Sequence, residues 1–268
     1  MVRILMVGAR GCNNEVVVEA LRSRGLHVEY AEDVKIPNPL KLRGIDVVYG
    51  AHLQTASRYL AAAEALRKKT IVHFVGSDAY RYADERGFRK LFWRFVVYAC
   101  ELAFYTSPHL MEFVGKKGAA LPFPINVDQF KKVRDSLRPE RDTLYYCPGG
   151  DDSARIYRLD WILNHAKEHP KEKITIIGNA ASPADHKIDL PNVEVIPFMP
   201  QEKMPQLYAR HRRLIRMTSQ DGLPRMLDEA LLCGLEVIFN GKKITSTVPE
   251  RDPEVFARKF EEELLKIL

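Results

Sequence analysis

The chain predicts an α/β protein built as two Rossmann-like domains, and three observations carry that expectation. Short apolar runs alternate with stretches of helical periodicity from one end of the sequence to the other, the order that βαβ units and parallel sheets require. The alternation breaks at LPFPINVDQF (residues 121–130), and a charged run over residues 131–141 follows before it restarts. A length of 268 residues divides at that break into domains at 1–136 and 137–268, each of ordinary single-domain size.

Residues 3–7 form the first strand, which meets a loop bracketed by Gly8 and Gly11. Asn13 or Asn14 caps the helix after it, with Val17, Ala20 and Leu21 on its apolar face, and a turn leads into a second strand. The glycines stand three apart, so the Gly-x-Gly-x-x-Gly dinucleotide fingerprint is absent, and the turn reads either as a phosphate contact or as purely structural. A strand over residues 46–49 ends at Gly50-Ala51-His52 and leads into an Ala-rich helix over 55–68; a strand over 70–74 then meets the loop VGSDAYR, residues 75–81. A helix over 89–100 and a strand over 102–106 complete the first domain. The stretch RGFRKLFWRFVVYAC (residues 86–100) mixes Phe88, Phe92, Trp93 and Phe95 with Arg86, Arg89, Lys90 and Arg94. It suits a helix packed on the sheet with its basic residues outward, or one lying on a membrane surface.

The second domain reads as a strand over 143–147, a loop over 148–154, a helix over 157–167, a strand over 174–177 ending at Gly178, and a strand over 193–196. After the strand–loop–helix–strand stretch of residues 214–239, a helix over 261–268 closes the chain.

Composition narrows the function classes. A hydrophobic share of 46% is that of an ordinary globular protein, and no apolar run is long enough to span a membrane. Residues 2–7 are too short for a signal peptide and run into the glycine loop. Cys12, Cys100, Cys147 and Cys233 have no Cys-x-x-Cys spacing, so reduced thiols in a cytoplasmic protein are expected and no metal site is. The net charge of +6 is uneven: residues 1–130 carry 18 basic against 13 acidic side chains, a net of +5, and the rest +1. That bias favours anionic partners such as phosphates, acidic glycans or a lipid surface; without a recognition motif, nucleic acid is not expected among them.

The best-organised polar constellation is LIRMTSQDGLPRMLDEALLCGLEVIF, residues 214–239. A strand over 214–218 gives way to loop formers from Ser219 to Gly222, Pro224 takes the first helical position, and the helix runs over 224–233 to Gly234 before a strand over 236–239. A helix that starts from a glycine loop at a strand end points free N–H groups at an anionic ligand. Asp221 in the loop and Glu229 in the helix frame the site, and either can accept bonds from ligand hydroxyls. The same two residues also read as a helix N-terminal charge and a solvated face.

The string SQDGLPRMLDEALLCGLEVI resembles the donor-site signature of the large retaining family of GT-B glycosyltransferases, with Asp221 and Glu229 at the family's two acidic positions and the first one methylene shorter here. Pro124, Asn126, Val127, Asp128 and Phe130 are similar to the sequence through which that family leaves its first domain. The resemblance implies the GT-B arrangement, two Rossmann-like domains facing a central cleft and hinged over residues 121–141, with the acceptor on the N-terminal side and the donor on the C-terminal side. It further implies a metal-independent glycosyltransferase of hexosyltransferase type, with a nucleotide sugar as substrate, no cofactor and an unidentified glycan or lipid acceptor.

By the same resemblance Glu229 would grip the ribose, Gly222, Leu223 and Pro224 would face the diphosphate, and Asp221 would orient the sugar; Gly8, Gly11 and Gly178, placed at strand ends by the residue pattern, are further candidate donor contacts. Glu229→Ala is then expected to abolish nucleotide binding and leave the fold intact. The family's paired Arg and Lys positions align with Asp152, Tyr157 and Arg158, so Arg155, Arg158 or Arg216 is expected to neutralise the diphosphate. The family's His-Gly-x-Asp motif is similar to residues 75–78, where Val75 precedes Gly76, Ser77 and Asp78. His73, two residues earlier on the same strand face, either shares the cleft or is a core or surface histidine. The expected catalytic set is Asp221, His73 and Asp78, with Arg81 and His52 as further candidates. Two other readings stay open: a non-catalytic nucleotide-sugar-binding protein, and a nucleotide-sugar epimerase of similar fold.

Overall fold

A computed structural model describes residues 2–8, 14–32, 39–134, 138–148, 151–178, 188–196, 199–220 and 224–268. The chain divides into two units, Met1–Ile125 with Pro249–Leu268, and Asn126–Val248. The first unit runs β1 (Arg3–Gly8), α1 (Asn14–Ser23), β2 (His27–Glu32), α2 (Pro39–Leu42), β3 (Val47–Ala51), α3 (Leu53–Ala65), β4 (Lys69–Phe74), α4 (Ser77–Asp84), α5 (Gly87–Ala99), β5 (Leu102–Tyr105), α6 (Leu110–Val114) and β6 (Ala119–Ala120). Its strands pair in parallel in the order β2-β1-β3-β4-β5-β6. The inner strands are buried nearly end to end, as a sheet covered on both faces requires. Alternation sends Leu5, Val7, Val48 and Val72 into one core with Leu60, Trp93 and Val97, and Ile4, Met6, Val47 and Ile71 into the other with Val17 and Leu21.

The second unit runs α7 (Val127–Arg134), β7 (Arg141–Tyr146), α8 (Asp151–Ile156), α9 (Leu159–Glu168), β8 (Ile174–Ile177), β9 (Val193–Ile196), α10 (Met204–Ala209), β10 (His211–Arg216), α11 (Arg225–Leu232), β11 (Glu236–Phe239) and β12 (Lys242–Ile244). The strand order is β12-β11-β10-β7-β8-β9, parallel except for the antiparallel hairpin β11–β12. That hairpin turns on Asn240 (φ 48°) and Gly241 (φ 78°), both left-handed as a two-residue turn of primed type demands.

The last helix, α12 (Pro253–Leu264), returns to the first unit. Asp252 caps it by accepting from the N–H groups of Glu254 and Val255, and Pro253 takes the first turn. Phe256, Ala257, Phe260 and Leu264 are buried in the core that also holds Val17 and Leu21 of α1. Each large apolar side chain buried there contributes about 1.5–3 kcal/mol as an upper bound. Outside the core, Arg24 and Glu261 pair at 2.7 Å.

The two units are both α/β with six-stranded, mostly parallel sheets, as the alternation predicts. Several details differ from the sequence reading. The stretch 75–81, read as loop, holds the first turns of α4; the run 131–141, read as linker, includes the end of α7; and the stretch 148–154, read as loop, starts α8. Ser77 opens α4 and Asp151 opens α8, while Asn126 stands just before α7. Asn126 accepts from Gln129 N at 3.1 Å, and Phe130 is then buried in the core of the second unit. The closing helix is Pro253–Leu264, not 261–268, and it falls with the first unit because its apolar stripe matches that core.

Candidate functional site

In an open parallel sheet, ligands bind beyond the carboxyl ends of the strands, where the strand order reverses. In the second unit that point lies between β7 and β10: the chain winds outward from β7 through β8 and β9, then crosses back to β10 and β11. Arg216 ends β10 there. Its guanidinium lies 4.6 Å from the ring centre of Tyr146 and 4.9 Å from that of Tyr157, two rings set at 88° to each other, and its Nη1 reaches Met226 Sδ at 3.5 Å. Arg216 is 4% exposed, so this charge is desolvated and held by π-faces at the end of the strand that leads into residues 219–223.

The loop leaving β10 is fastened on both sides. Ser219 N donates to Ile156 O at 3.0 Å, and Thr218 N donates to Asn240 Oδ1 at 2.8 Å. Tyr145 OH donates to the carbonyls of Tyr157 and Arg158, which holds the α8–α9 turn against β7. Arg158 sits in that turn with φ 48° and is half exposed, 3.9 Å from Asp160, while Arg155 is exposed at the end of α8. The three arginines named from the sequence thus come from the two segments that flank the switch point. Asp221, Gly222 and Leu223 lie outside the described residues, and so does Gly11. Pro224 is the cap residue of α11, one position before the expected place.

Glu229 is 1% exposed and its carboxylate is already engaged within its own unit. Gln201 Nε2 donates to Oε1 at 2.7 Å, Arg225 Nε approaches Oε1 at 3.0 Å, and Tyr208 OH donates to Oε2 at 2.8 Å. The expectation of a Glu229 open to a cleft is therefore corrected: the helix face that carries it is turned into the core of the unit, where Leu227 and Ala230 beside it are buried. Burial, followed by the Glu229 charge, drives the Tyr208 phenol far above its usual range, so it stays a donor. Of these partners only Arg225 was legible, as an i,i+4 neighbour. Gln201 and Tyr208 meet Glu229 only through the fold.

Gly178, after β8, has φ 120°, and a Cβ there would stand 2.3 Å from the Cys147 carbonyl oxygen. Its N–H donates to Ile196 O at 2.9 Å, which accounts for the glycine by strand-end packing. Two cavities of the second unit lie apart from the switch point. One of about 430 Å³ is lined by Asn126, Gln129, Lys132 and Glu202; another of about 660 Å³ is lined by Asp142, Glu172, Arg212 and Arg213, at the amino ends of the strands.

In the first unit the order reverses between β1 and β3, whose carboxyl ends are Gly8 and Ala51. A Cβ on Gly8 would come within 2.5 Å of the Asn14 side chain, so Gly8 is covered by α1. His52 follows Ala51 with φ 73°, and its buried Nδ1 has no hydrogen bond among the described residues. His73 is a core residue instead. It is 0% exposed, bonds Tyr49 OH through Nδ1 at 2.6 Å, and packs edge-on against Phe123 with ring centres 4.5 Å apart. Burial pushes its pKa down to about 3, so it is neutral and presents no atom to a ligand. Asp78 is likewise 0% exposed: Oδ1 accepts from Val75 N and Gly76 N, and Oδ2 from Leu53 N. Its carboxylate ties the starts of α3 and α4 together, a structural use that explains the Gly-Ser-Asp string. A chain of contacts missed in the sequence, Ser107 Oγ to His109 Nδ1 at 2.7 Å and His109 Nε2 to Tyr80 OH at 2.9 Å, follows β5. Among the described residues no group of His, Cys, Asp and Glu has the geometry to hold a metal ion.

No protein-family model and no curated protein matches the chain. Solved structures match it over nearly its whole length. An α-glucosyltransferase in complex with UDP and a 13-mer DNA aligns at TM-score 0.64 and 11% identity, covering 100% of this chain and 90% of that one. HepE of Anabaena in complex with UDP-glucose aligns at 0.63 and 13%, covering 100% and 91%. The UDP-GlcNAc 2-epimerase of Methanocaldococcus jannaschii aligns at 0.59 and 10%, covering 99% and 100%. On strand order, unit structure and coverage, the chain has the two-Rossmann fold of the GT-B glycosyltransferases.

Proposed function

We propose that the protein is a nucleotide-sugar-dependent glycosyltransferase that works without a metal ion or other cofactor, with the donor on the second unit and a glycan or lipid acceptor on the first. The observation that carries the reading is Arg216, a desolvated guanidinium at the β7–β10 switch point, three residues before the SQDGLP string begins. Loss of a nucleoside diphosphate from a sugar builds negative charge on the leaving phosphate, and fixed positive charge in a water-poor site stabilises it. Arg155, exposed at the end of α8, and Arg158, exposed on the turn after it, make the direct contacts, and Arg216 supports them from beneath. Residues 221–223 supply backbone donors and the Asp221 carboxylate for sugar hydroxyls. Glu229 acts here through Arg225, which it pairs at 3.0 Å and which is a quarter exposed. The DNA in the α-glucosyltransferase complex is that enzyme's own ligand and is not carried over.

An epimerase reading has one observation in its favour, full coverage of the UDP-GlcNAc 2-epimerase chain. A binding protein without turnover is favoured by the internal use of His73, Asp78 and Glu229. Thermal shift against UDP, ADP and GDP sugars tests the common part: a ligand at a hundred times its Kd adds about 2.7 kcal/mol of stability. Absence of any shift at millimolar nucleotide sugar refutes all three. Following the stabilising ligand by NMR then separates them, since a transferase releases nucleotide, an epimerase alters the sugar while it stays attached, and a binding protein does neither.

A further inference from the structure

Helix α5 is apolar on two opposite faces. Trp93, Val96, Val97 and Cys100 bury one of them in the core. The other shows Phe88 at 85% exposure, Leu91 at 64%, Phe95 at 61% and Tyr98 at 59%. Their spacing of three, four and three residues places all four in one stripe, about 15 Å long at 1.5 Å per residue. A single exposed leucine needs no explanation, but a continuous stripe of three aromatics and a leucine does.

The charges on α5 itself are of one sign, with Glu85 and Glu101 the acids just beyond its two ends. Between Gly87 and Ala99 the helix carries Arg89, Lys90 and Arg94 and no acidic residue. Arg94 is exposed and forms no ion pair among the described residues, and Arg86 is exposed just before the first turn. Arg89 meets Glu85 at 3.3 Å while remaining largely exposed. At the other end Lys116 donates to the carbonyl of Cys100 at 2.6 Å, which brings it and the exposed Lys117 to the carboxyl end of α5. Basic groups thus flank the stripe at both ends and beside it.

We propose that the outward face of α5 binds an anionic phospholipid surface, with Phe88, Leu91, Phe95 and Tyr98 entering the boundary between headgroups and acyl chains and the flanking Arg and Lys side chains meeting lipid phosphates. An apolar stripe rimmed with cations is the pattern of a helix that lies in the membrane plane, its apolar side sunk about 5–10 Å. A two-fold pairing of copies through the same stripe would set Arg94 and Arg89 near their own equivalents, with no acid on the helix to offset them. No helix among the described residues is long and apolar enough to cross a membrane, so contact through this face is in the plane of the surface. The inference does not depend on the nucleotide-sugar reading, and its test can fail separately.

The full chain is sedimented with vesicles of phosphatidylcholine alone and of phosphatidylcholine with about 30% phosphatidylglycerol, at low and high salt. Binding to the anionic vesicles is expected, weakened by salt. A Phe88→Ser/Phe95→Ser variant should bind about tenfold less or weaker still, and Arg89→Ala/Arg94→Ala should lose the preference for anionic over neutral vesicles. Because these side chains are exposed, both variants should melt within a few degrees of the parent, which separates lost binding from lost folding. Failure to bind either vesicle overturns the proposal, as does undiminished binding by the serine variant. A parent that sediments as a dimer, becomes monomeric on the serine changes and ignores vesicles would assign the face to a second copy instead.

Discussion

Replacing Glu229 with alanine removes the acceptor of Gln201 Nε2, Tyr208 OH and Arg225 Nε together, at 2.7, 2.8 and 3.0 Å. Tyr208 is 0% exposed, so its hydroxyl has no water to turn to and the unpaired donor costs about 1–3 kcal/mol. Arg225, about a quarter exposed, resolvates in part and costs less. Breaking a buried ion pair from one side typically costs about 3–5 kcal/mol, and the three contacts share one carboxylate, so about 3–5 kcal/mol is expected for the whole change. Glu229→Gln keeps the volume and one carbonyl acceptor and should cost about 1–3 kcal/mol. The two tryptophans fall one in each unit, Trp93 and Trp161, so in a Trp93→Phe background Trp161 fluorescence reports unfolding of the unit that holds Glu229. With a urea m-value of about 2 kcal/mol/M, Glu229→Ala should lower the midpoint by about 1.5–2.5 M. A shift under about 0.3 M would refute the buried-network argument and restore the expectation, from the sequence, of an accessible ligand contact.

Four further outcomes follow from the geometry. Burial holds His73 at about 3 and His211 at about 4, below the usual 6.5, so the unfolded chain takes up protons that the folded chain refuses. Each unit should therefore keep this stability above pH 6.5 and lose about 1.4 kcal/mol per pH unit as the pH falls from there toward 4; urea midpoints that stay level over that window would exclude it. If a donor is turned over, at least one of Arg155→Ala, Arg158→Ala and Arg216→Ala should reduce binding or rate about tenfold, and three silent changes would remove the diphosphate assignment. Phe260→Ala should destabilise the unit that contains Trp93 by about 3–5 kcal/mol and leave the Trp161 transition in place; the reverse pattern would place α12 with the other unit. Cys100, Cys147 and Cys233 are buried, and burial raises their thiols to about 12, 11 and 12, so a thiol reagent should label at most one cysteine of the native protein quickly.

Local signals carried much of the architecture. Strands 174–177, 193–196 and 236–239 were legible to the residue, because short apolar runs between turn formers have few alternatives in an alternating chain. Some local signals were present and passed over. Asp252-Pro253 is a cap followed by a first-turn proline, Asn240-Gly241 is a hairpin turn, and the Gly-Ser-Asp string is a helix start.

By itself, then, the sequence determined that the protein is α/β, that its strands alternate with helices in two successive sets, and that residues 214–239 read as strand, loop, helix and strand; these depend on neighbours within a turn or two. Tertiary structure alone decided which unit each element joins and which polar groups remain for a ligand. Nothing near Phe256 and Phe260 says that their partners are Val17 and Leu21, and nothing near Glu229 says that Tyr208 and Gln201 already hold its carboxylate. His73 shows the same limit, since a histidine on a strand reads alike whether its ring meets water or Tyr49 and Phe123. Burial and pairing are set by contacts distant in sequence, and a spacing pattern along one segment carries no record of what the opposite segment brings to it.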